Sequence, residues 1–312
     1  MLEFLPKGHK VSAERLVEGR HVAQSININA QSKALALLAG RRKIRQRGRG
    51  VDFEEVRLYA PGDDVRSIDW RVTARSGDPH TKLFQEDREQ PIVLLVDLRS
   101  PMWFGSKNCF KTVLASHIAS VLAWAGLDAG ERVGGIAMTN SGLFEIKPQR
   151  SKRSVLRLLR LMESAPAPSS LSNFSSNSEE SDMWSIALSQ LKSLSRPGAR
   201  LMLISDFTDL LTDTSVEKTL RDIVSHRQVV CFKITDPLDA ELPPSGKYAL
   251  TDGNKQIKMD TSMQRLRSAY KDDFERSQAE VTEYLRRYQV PLVPVDTSEN
   301  PNELLQRVFP KR

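Results

Sequence analysis

The 312-residue chain has only two cysteines, Cys109 and Cys231, too few for a disulfide framework or a cysteine-rich zinc site. Both sit in apolar patterns and read as buried free thiols. Long hydrophobic runs are also missing: residues 34–40 come nearest, at about a third of the roughly 20 apolar residues a membrane helix needs. The opening MLEFLPKGHK lacks the basic start, apolar centre and small-residue cleavage site of a secretory signal. These absences lead to the expectation of a cytoplasmic protein with no transmembrane segment. No Walker A loop, GxSxG elbow, HExxH or GxGxxG pattern occurs, so nucleotide hydrolysis, serine hydrolysis, zinc proteolysis and dinucleotide binding lack their usual signatures. The five histidines (His9, His21, His80, His117 and His226) are scattered, and His117 falls on the apolar face of a helical pattern, where a core residue is expected.

Acidic residues are scarce at the start of the chain. Residues 1–50 hold eleven Lys or Arg against three Asp or Glu, whereas the whole chain has a net charge of +7. The excess is concentrated in RRKIRQRGRG, with Arg41, Arg42, Lys43, Arg45, Arg47 and Arg49. Such a patch suits nucleic acid, an anionic lipid surface or an acidic protein. No aromatic residue interleaves with these cations, so the base-stacking half of a single-strand binding surface is lacking. A solvated or partner-facing basic segment is the simpler expectation.

What is present is an alternation of buried strands and helices from residue 91 onward. PIVLLVDLRSPM carries an unbroken, largely β-branched apolar run, too short for a helix and without the alternation of a half-exposed strand. It predicts a strand over 92–97 that is buried on both faces and ends in Asp97. A helix over 107–127, a strand over 132–138, a hairpin partner over 143–148 and a helix over 151–163 follow. Residues 164–182 hold eight serines and two prolines, a loop composition, and lead into a helix over 182–195. RLMLISD then repeats the first device, an apolar run ending in Asp206. A helix over 214–226, a strand over 228–234, an inserted β-hairpin within 237–259, a polar helix over 262–287, a strand over 291–296 and a short helix from Pro301 complete the pattern. This rhythm implies an α/β fold with a doubly wound, mostly parallel sheet and helices on both faces. Residues 1–90 are expected to form a small N-terminal helix and β module, with a helix over 12–38 resting on something larger, and residues 91–312 the sheet domain.

Two strand-ending aspartates, with a hydroxyl-rich loop before the intervening helix, resemble a von Willebrand factor A domain. That resemblance implies a metal-ion-dependent adhesion site at the carboxyl edge of the sheet, where an Asp-x-Ser-x-Ser turn, a Thr and a second Asp hold Mg²⁺. Asp97 matches the first ligand, Asp206 the last, and Ser181 is the candidate for the Thr position, or else an N-cap of the next helix. The two serine positions carry Arg99 and Pro101 instead, and Ser100 falls out of register. Pro101 offers no side-chain oxygen, and Arg99 brings a fixed positive charge that at about 4 Å repels a divalent ion by several kcal/mol even at an effective dielectric near 20. The expectation is therefore a vestigial site without bound metal, Mg²⁺ being disfavoured. In it Arg99 either pairs with Asp97, Asp206 or both, or points into solvent.

Upstream, GVDFEEVRLYAPGDDVRSIDW followed by Thr73-Ala74-Arg75 mixes both charge signs densely around Trp70. A carboxylate and guanidinium network of Asp63, Asp64, Arg66, Asp69 and Arg75, fastening this module to a neighbour, is one physical account. The block closely resembles the signature of bacterial domain-of-unknown-function family 58, a von Willebrand factor A-like group, and the resemblance runs from about residue 38 to 309. It implies a non-enzymatic interaction module that acts as adaptor or substrate recruiter for a MoxR-type AAA+ ATPase in chaperone-like remodelling or assembly of an unknown client protein. Two other functions compete. Nucleic-acid binding through residues 41–49 predicts a steep salt dependence. A metal-dependent phosphohydrolase of the haloacid dehalogenase type needs an aspartate two residues after Asp97, where Arg99 stands.

Overall fold

The computed structural model of the chain describes residues 4–30, 52–60, 65, 68–85, 89–165, 182–212, 215–251 and 256–311. The basic segment 41–49, Asp63, Asp64, Arg66 and Ser181 lie outside the described residues.

Two compact units emerge: residues 1–42 together with 91–312, and residues 43–90. This differs from the expected division after residue 90, because the first helix, α1 (Ala13–Ala23), packs on a helix of the sheet unit. The helix pattern expected over 12–38 stops at Ala23 for a local reason. Ser25 Oγ donates to the Val22 carbonyl at 2.6 Å, and Asn27 Oδ1 accepts from the Asn29 N–H at 3.0 Å, side-chain bonds that compete with helix propagation. Ile26 then forms an antiparallel bridge with Pro310.

In the smaller unit, β1 (Asp52–Leu58) pairs antiparallel with β2 (His80–Gln85), with a register irregularity between Phe53 and Glu55. Between them lies α2 (Trp70–Ser76). Asp69 caps this helix by accepting from the Arg71 N–H at 3.0 Å and the Val72 N–H at 3.2 Å. Gly77 ends it in the left-handed conformation (φ 83°), where its N–H reaches the Thr73 carbonyl. Trp70 is 69% exposed, so the signature tryptophan is not a core residue of the folded chain.

The larger unit is built on a six-stranded sheet. Its strands are β3 (Ile92–Asp97), β4 (Val133–Thr139), β5 (Gly142–Gln149), β6 (Arg200–Ser205), β7 (Gln228–Thr235) and, at the end of the chain, β10 (Leu292–Asp296). The order is β10-β7-β6-β3-β4-β5, with only β5 antiparallel to its neighbour. The expected doubly wound, mostly parallel architecture is thus the observed one. Its helices are α3 (Lys111–Asp128), α4 (Lys152–Glu163), α5 (Met183–Leu194), α6 (Val216–His226), the four-residue α7 (Pro237–Ala240), α8 (Gln264–Arg287) and α9 (Pro301–Val308). The expected insertion appears as the antiparallel pair β8 (Lys247–Thr251) and β9 (Gln256–Asp260).

All six residues of β3 are buried, and they alternate between two cores. Ile92, Leu94 and Val96 join Leu16, Leu114, Ile118, Leu158 and Leu305 on one side, whereas Val93 and Leu95 join Leu188, Leu220 and Leu285 on the other. Helix α3 is buried on every side from Lys111 to Gly126 because α1 covers its outer face. The crossing is close: a Cβ at Gly19 of α1 would lie 2.6 Å from Ser120 Oγ, which itself donates to the Leu16 carbonyl. On the same layer His117 is 2% exposed, stacks on Phe4 at 4.2 Å and bonds Asn302 Oδ1 through Nε2 at 2.8 Å, a satisfied core histidine as expected. Helix α3 begins at Lys111 rather than at residue 107, because Cys109 is drawn into a parallel bridge with Gly8.

Candidate functional site

The carboxyl ends of β3 and β6 bring Asp97 and Ser205 side by side, and the loops that leave them carry the charged groups. Asp97 is 1% exposed and its carboxylate is saturated inside the chain. Oδ1 accepts from the Arg99 backbone N–H at 3.1 Å and from Arg99 Nε at 3.0 Å, while Oδ2 accepts from Arg99 Nη2 at 2.8 Å and from Ser205 Oγ at 2.7 Å. Four donors fill the roughly four acceptor sites of a carboxylate. The other side of the same guanidinium grips Asp209, with Nη1 at 2.5 Å from Oδ2 and Nη2 at 3.0 Å from Oδ1. Arg99 therefore points inward and not into solvent, and it joins Asp97 to Asp209 rather than to Asp206.

Trp184, the second residue of α5, completes this arrangement. Its Nε1 donates to Asp209 Oδ1 at 2.8 Å, its ring lies 5.7 Å from Arg99 Cζ, and it stacks on Phe207 at 5.5 Å. Phe207 is fully buried with φ 58°, a left-handed conformation that costs a non-glycine residue about 1–3 kcal/mol and persists where its surroundings hold it. What holds it here is the stack on Trp184 and the bond from its N–H to Ser205 Oγ at 3.0 Å.

Asp206 has a cation of its own. Lys111 Nζ, at the first position of α3, lies 3.0 Å from Asp206 Oδ2 and 3.1 Å from Asp239 Oδ2 of α7. A third buried carboxylate, Asp236 at the end of β7, accepts from the Ser106 N–H at 2.8 Å, Ser106 Oγ at 2.6 Å, the Leu238 N–H at 3.0 Å and Thr297 Oγ1. It ties together the loops that follow β3, β7 and β10.

The electrostatics follow from burial set against pairing. Desolvation pushes the Asp97 carboxyl above its ordinary range and the adjacent Arg99 pulls it back; an arginine does not release its proton in a protein, and the two-point geometry is that of an ion pair. Burial disfavours charge on Lys111, but Asp206 and Asp239 outweigh it and hold the amine protonated beyond its usual range. Burial also works against Asp209 and Asp236. Arg99 and Trp184 hold the first below the ordinary carboxylate range, and the hydroxyl and amide donors hold the second there.

This donor set does not fit Mg²⁺. The oxygens a divalent ion would need on Asp97 are all engaged, those of Asp206 accept from Lys111 Nζ and the Thr208 N–H, and Arg99 occupies the space between the loops. Pro101 is the second residue of a 3₁₀ turn (Ser100–Met102), and Ser100 is turned toward the β4–β5 connection, where its N–H donates to Asn140 Oδ1 and its Oγ accepts from Asn140 Nδ2. The N-cap position of α5 is held by Asp182. Among the other residues singled out in the sequence, Asp69, Trp70 and Arg75 lie in the smaller unit, where Asp69 serves as a helix cap.

Sequence reasoning missed Lys111, Asp209, Asp239, Trp184 and Lys233. Two of these carried a signal. Lys111 opens a helix whose pattern is apolar over most of its turns, and Lys233 interrupts the buried strand QVVCFKIT. A lysine in such a place asks for a partner.

Residues 55–280 match the family model described as "Protein of unknown function DUF58". Curated relatives include the uncharacterized protein Mb1516 of Mycobacterium bovis and the uncharacterized protein Rv1480 of Mycobacterium tuberculosis, each 30% identical over 261 residues, or 81% of this chain and 77% of the relative. Among solved structures, the conserved hypothetical protein BatB of Bacteroides thetaiotaomicron is 14% identical, with a TM-score of 0.40 over 70% of this chain and 97% of BatB. A von Willebrand factor type A protein of Catenulispora acidiphila is 13% identical, with a TM-score of 0.30 over 50% of this chain and 35% of that one. Among the described residues, no helix is long and apolar enough to cross a membrane.

Proposed function

The chain belongs to the DUF58 family, and on that premise we propose that it is a non-catalytic protein-interaction module whose binding edge is held by its own cations in place of a metal. The supporting observation is the saturation of Asp97 by Arg99 and Ser205, together with the pairing of Asp206 by Lys111. A divalent ion in a von Willebrand factor A-like site does two things: it draws the loops together and leaves an open position for a partner's carboxylate. Here Arg99 and Lys111 do the first from within, so the loops are organised before any partner arrives. Preorganisation of this kind lowers the ordering cost of association.

The partner implied by the family resemblance is a MoxR-type AAA+ ATPase, with this chain as its adaptor or client recruiter in the cytoplasm. The test is affinity capture from the native cell in the presence of ATP, followed by reconstitution with the purified ATPase. Specific retention that is lost in Arg99→Met, with Mg²⁺ making no difference to a calorimetric titration of the free chain, is the expected result. One Mg²⁺ bound per chain and abolished by Asp97→Ala overturns the internal-cation reading. Failure of the purified ATPase to associate removes that partner.

A further inference from the structure

A cleft lies outside the sheet, between the opening segment of the chain, the start of α1 and the first turns of α3. Phe4, Leu16 and Val113, all buried, give it an apolar floor. Its rim carries three exposed cations, Lys7, Lys10 and Arg15, and among the described residues no carboxylate lines it. Neither lysine side chain has an ion pair or a hydrogen bond among the described residues, and Arg15 makes one bond, from Nη2 to the Leu5 carbonyl at 3.3 Å. Like charges gathered around an apolar hollow repel one another, and an anion seated there relieves all three.

The walls of the cleft are set in advance. Asn302 Nδ2 of α9 donates to the Phe4 carbonyl at 2.6 Å, the Gly8 N–H reaches the Asn108 carbonyl at 3.0 Å, and the Phe110 N–H reaches the Gly8 carbonyl at 3.0 Å. The first of these bonds also fixes the state of His117, whose ring lines the cleft. Because Asn302 gives its amide to Phe4, its Oδ1 must accept from His117, so Nε2 carries the ring proton and Nδ1 a bare lone pair. The ring is 2% exposed and its donor is satisfied, but Nδ1 has no partner among the described residues.

We propose that this cleft receives a short acidic segment of a protein partner. One apolar side chain fills the floor, an N–H of the segment donates to His117 Nδ1, and flanking carboxylates pair with Lys7, Lys10 and Arg15. This rests on the reading of the chain as an interaction module and gives that module a docking site distinct from the saturated ion pairs of the sheet edge. Size favours a side chain over an enclosed small molecule. The cleft measures about 300 Å³ out to its open mouth, the lower limit for ligand pockets, which bury most of what they hold. Shape disfavours a lipid surface. None of the exposed large apolar residues lines the cleft, so nothing apolar protrudes from it to enter a bilayer, and an acyl chain has no donor for Nδ1.

The experiment titrates the full chain by calorimetry with acetylated and amidated Glu-Leu-Glu, with the matching Gln-Leu-Gln peptide, and with vesicles of anionic phospholipid, while the ring nitrogens of His117 are followed by NMR. The acidic peptide is expected to bind about ten-fold or more tighter than the glutamine peptide, and to weaken as salt is added. The double variant Lys7→Gln, Lys10→Gln is expected to lose about ten-fold in affinity with unchanged unfolding stability, since neither side chain holds a partner in the described chain. His117 Nδ1 is expected to move toward the position of a hydrogen-bonded nitrogen in the acidic complex, while Nε2 stays in place. Absence of peptide binding, equal binding of the two peptides, or undiminished binding in the double variant overturns the proposal. An unmoved Nδ1 overturns the placement of the segment on the cleft floor. Vesicle binding that the double variant loses, without peptide binding, overturns the proposal in favour of a lipid surface. If the double variant captures the cellular partner as well as the native chain does, the cleft falls as its docking site while the interaction reading stands. If the native chain captures nothing, the interaction reading falls, and the peptide titration still decides the chemistry of the cleft.

Discussion

Arg99 and Asp97, two residues apart in sequence, form a closed ring of three hydrogen bonds. The backbone N–H and Nε of Arg99 reach Oδ1 at 3.1 and 3.0 Å, and Nη2 reaches Oδ2 at 2.8 Å. The pair is buried, and its remaining donors bind Asp209. Removing the guanidinium leaves Asp97 as a buried charge without a counter-ion, the situation that costs about 3–5 kcal/mol when one member of a buried pair is deleted. Arg99→Met is therefore expected to lower unfolding stability by about that amount in urea denaturation at neutral pH. Arg99→Lys recovers only part of it, because an ammonium cannot make the two-sided planar contact. Equal stability of Arg99→Met and the native chain refutes the lock.

How much of this was legible beforehand depends on whether the information is local. The strand ending at Asp97 could be read because six buried residues of β3 in a row leave no solvent face. The inward turn of Arg99 was open to two readings, because nothing in DLRSPM says which way a guanidinium points. Its second partner was not legible at all. The left-handed turn at Phe207 separates Asp206 from Asp209 and sends the first to Lys111 and the second to Arg99. That sorting depends on the packing of Phe207 against Trp184, two residues that meet only in the folded chain. The reach of the first helix was likewise overread, because the apolar spacing continues past Ala23 while the side-chain bonds of Ser25 and Asn27 stop the helix.

The signature residue Asp69 yields a prediction confined to the smaller unit. Its carboxylate satisfies two N–H groups at the start of α2, and losing such a cap costs about 1 kcal/mol, with a range of about 0.5–2. Asp69→Ala should speed amide hydrogen exchange over residues 70–76 by a factor of about five, the equivalent of about 1 kcal/mol. Asp69→Ser should restore most of the protection, since a hydroxyl also caps. Unchanged exchange in the alanine variant argues that Asp69 serves something other than the helix.

His117 predicts an acid-side dependence. Burial lowers it from 6.5 to about 4, and the bond to Asn302 offsets only part of the shift. Between those two values the unfolded chain binds a proton that the folded chain does not, so stability rises with pH across this window and is lost as pH falls from about 6.5 toward 4. The contribution approaches about 3 kcal/mol at full effect. His117→Phe keeps a ring to stack on Phe4 and removes the titration. Measured against the native chain by denaturation at pH 7, 6, 5 and 4, the variant should gain relative stability with each step down. A constant difference across the series refutes the assignment.

Lys233 predicts the opposite kind of anomaly, a residue whose removal stabilises the chain. Its amine is lowered by burial to about 8 against an ordinary 10.5, so between these values the unfolded state binds more protons, and stability rises with pH. Below about 8 the full penalty of keeping a buried ammonium is present, on the order of 1–3 kcal/mol for a shift of this size. Lys233→Met fills a similar volume without the charge and should raise stability by roughly that amount at pH 7. The gain should shrink above pH 8 and vanish near 10.5, where the native lysine is neutral in both states. Replacing a buried charge by a hydrophobic residue of similar volume often stabilises a fold. A loss of stability in Lys233→Met at neutral pH would mean that the attraction of Asp206 outweighs the cost of burying the amine.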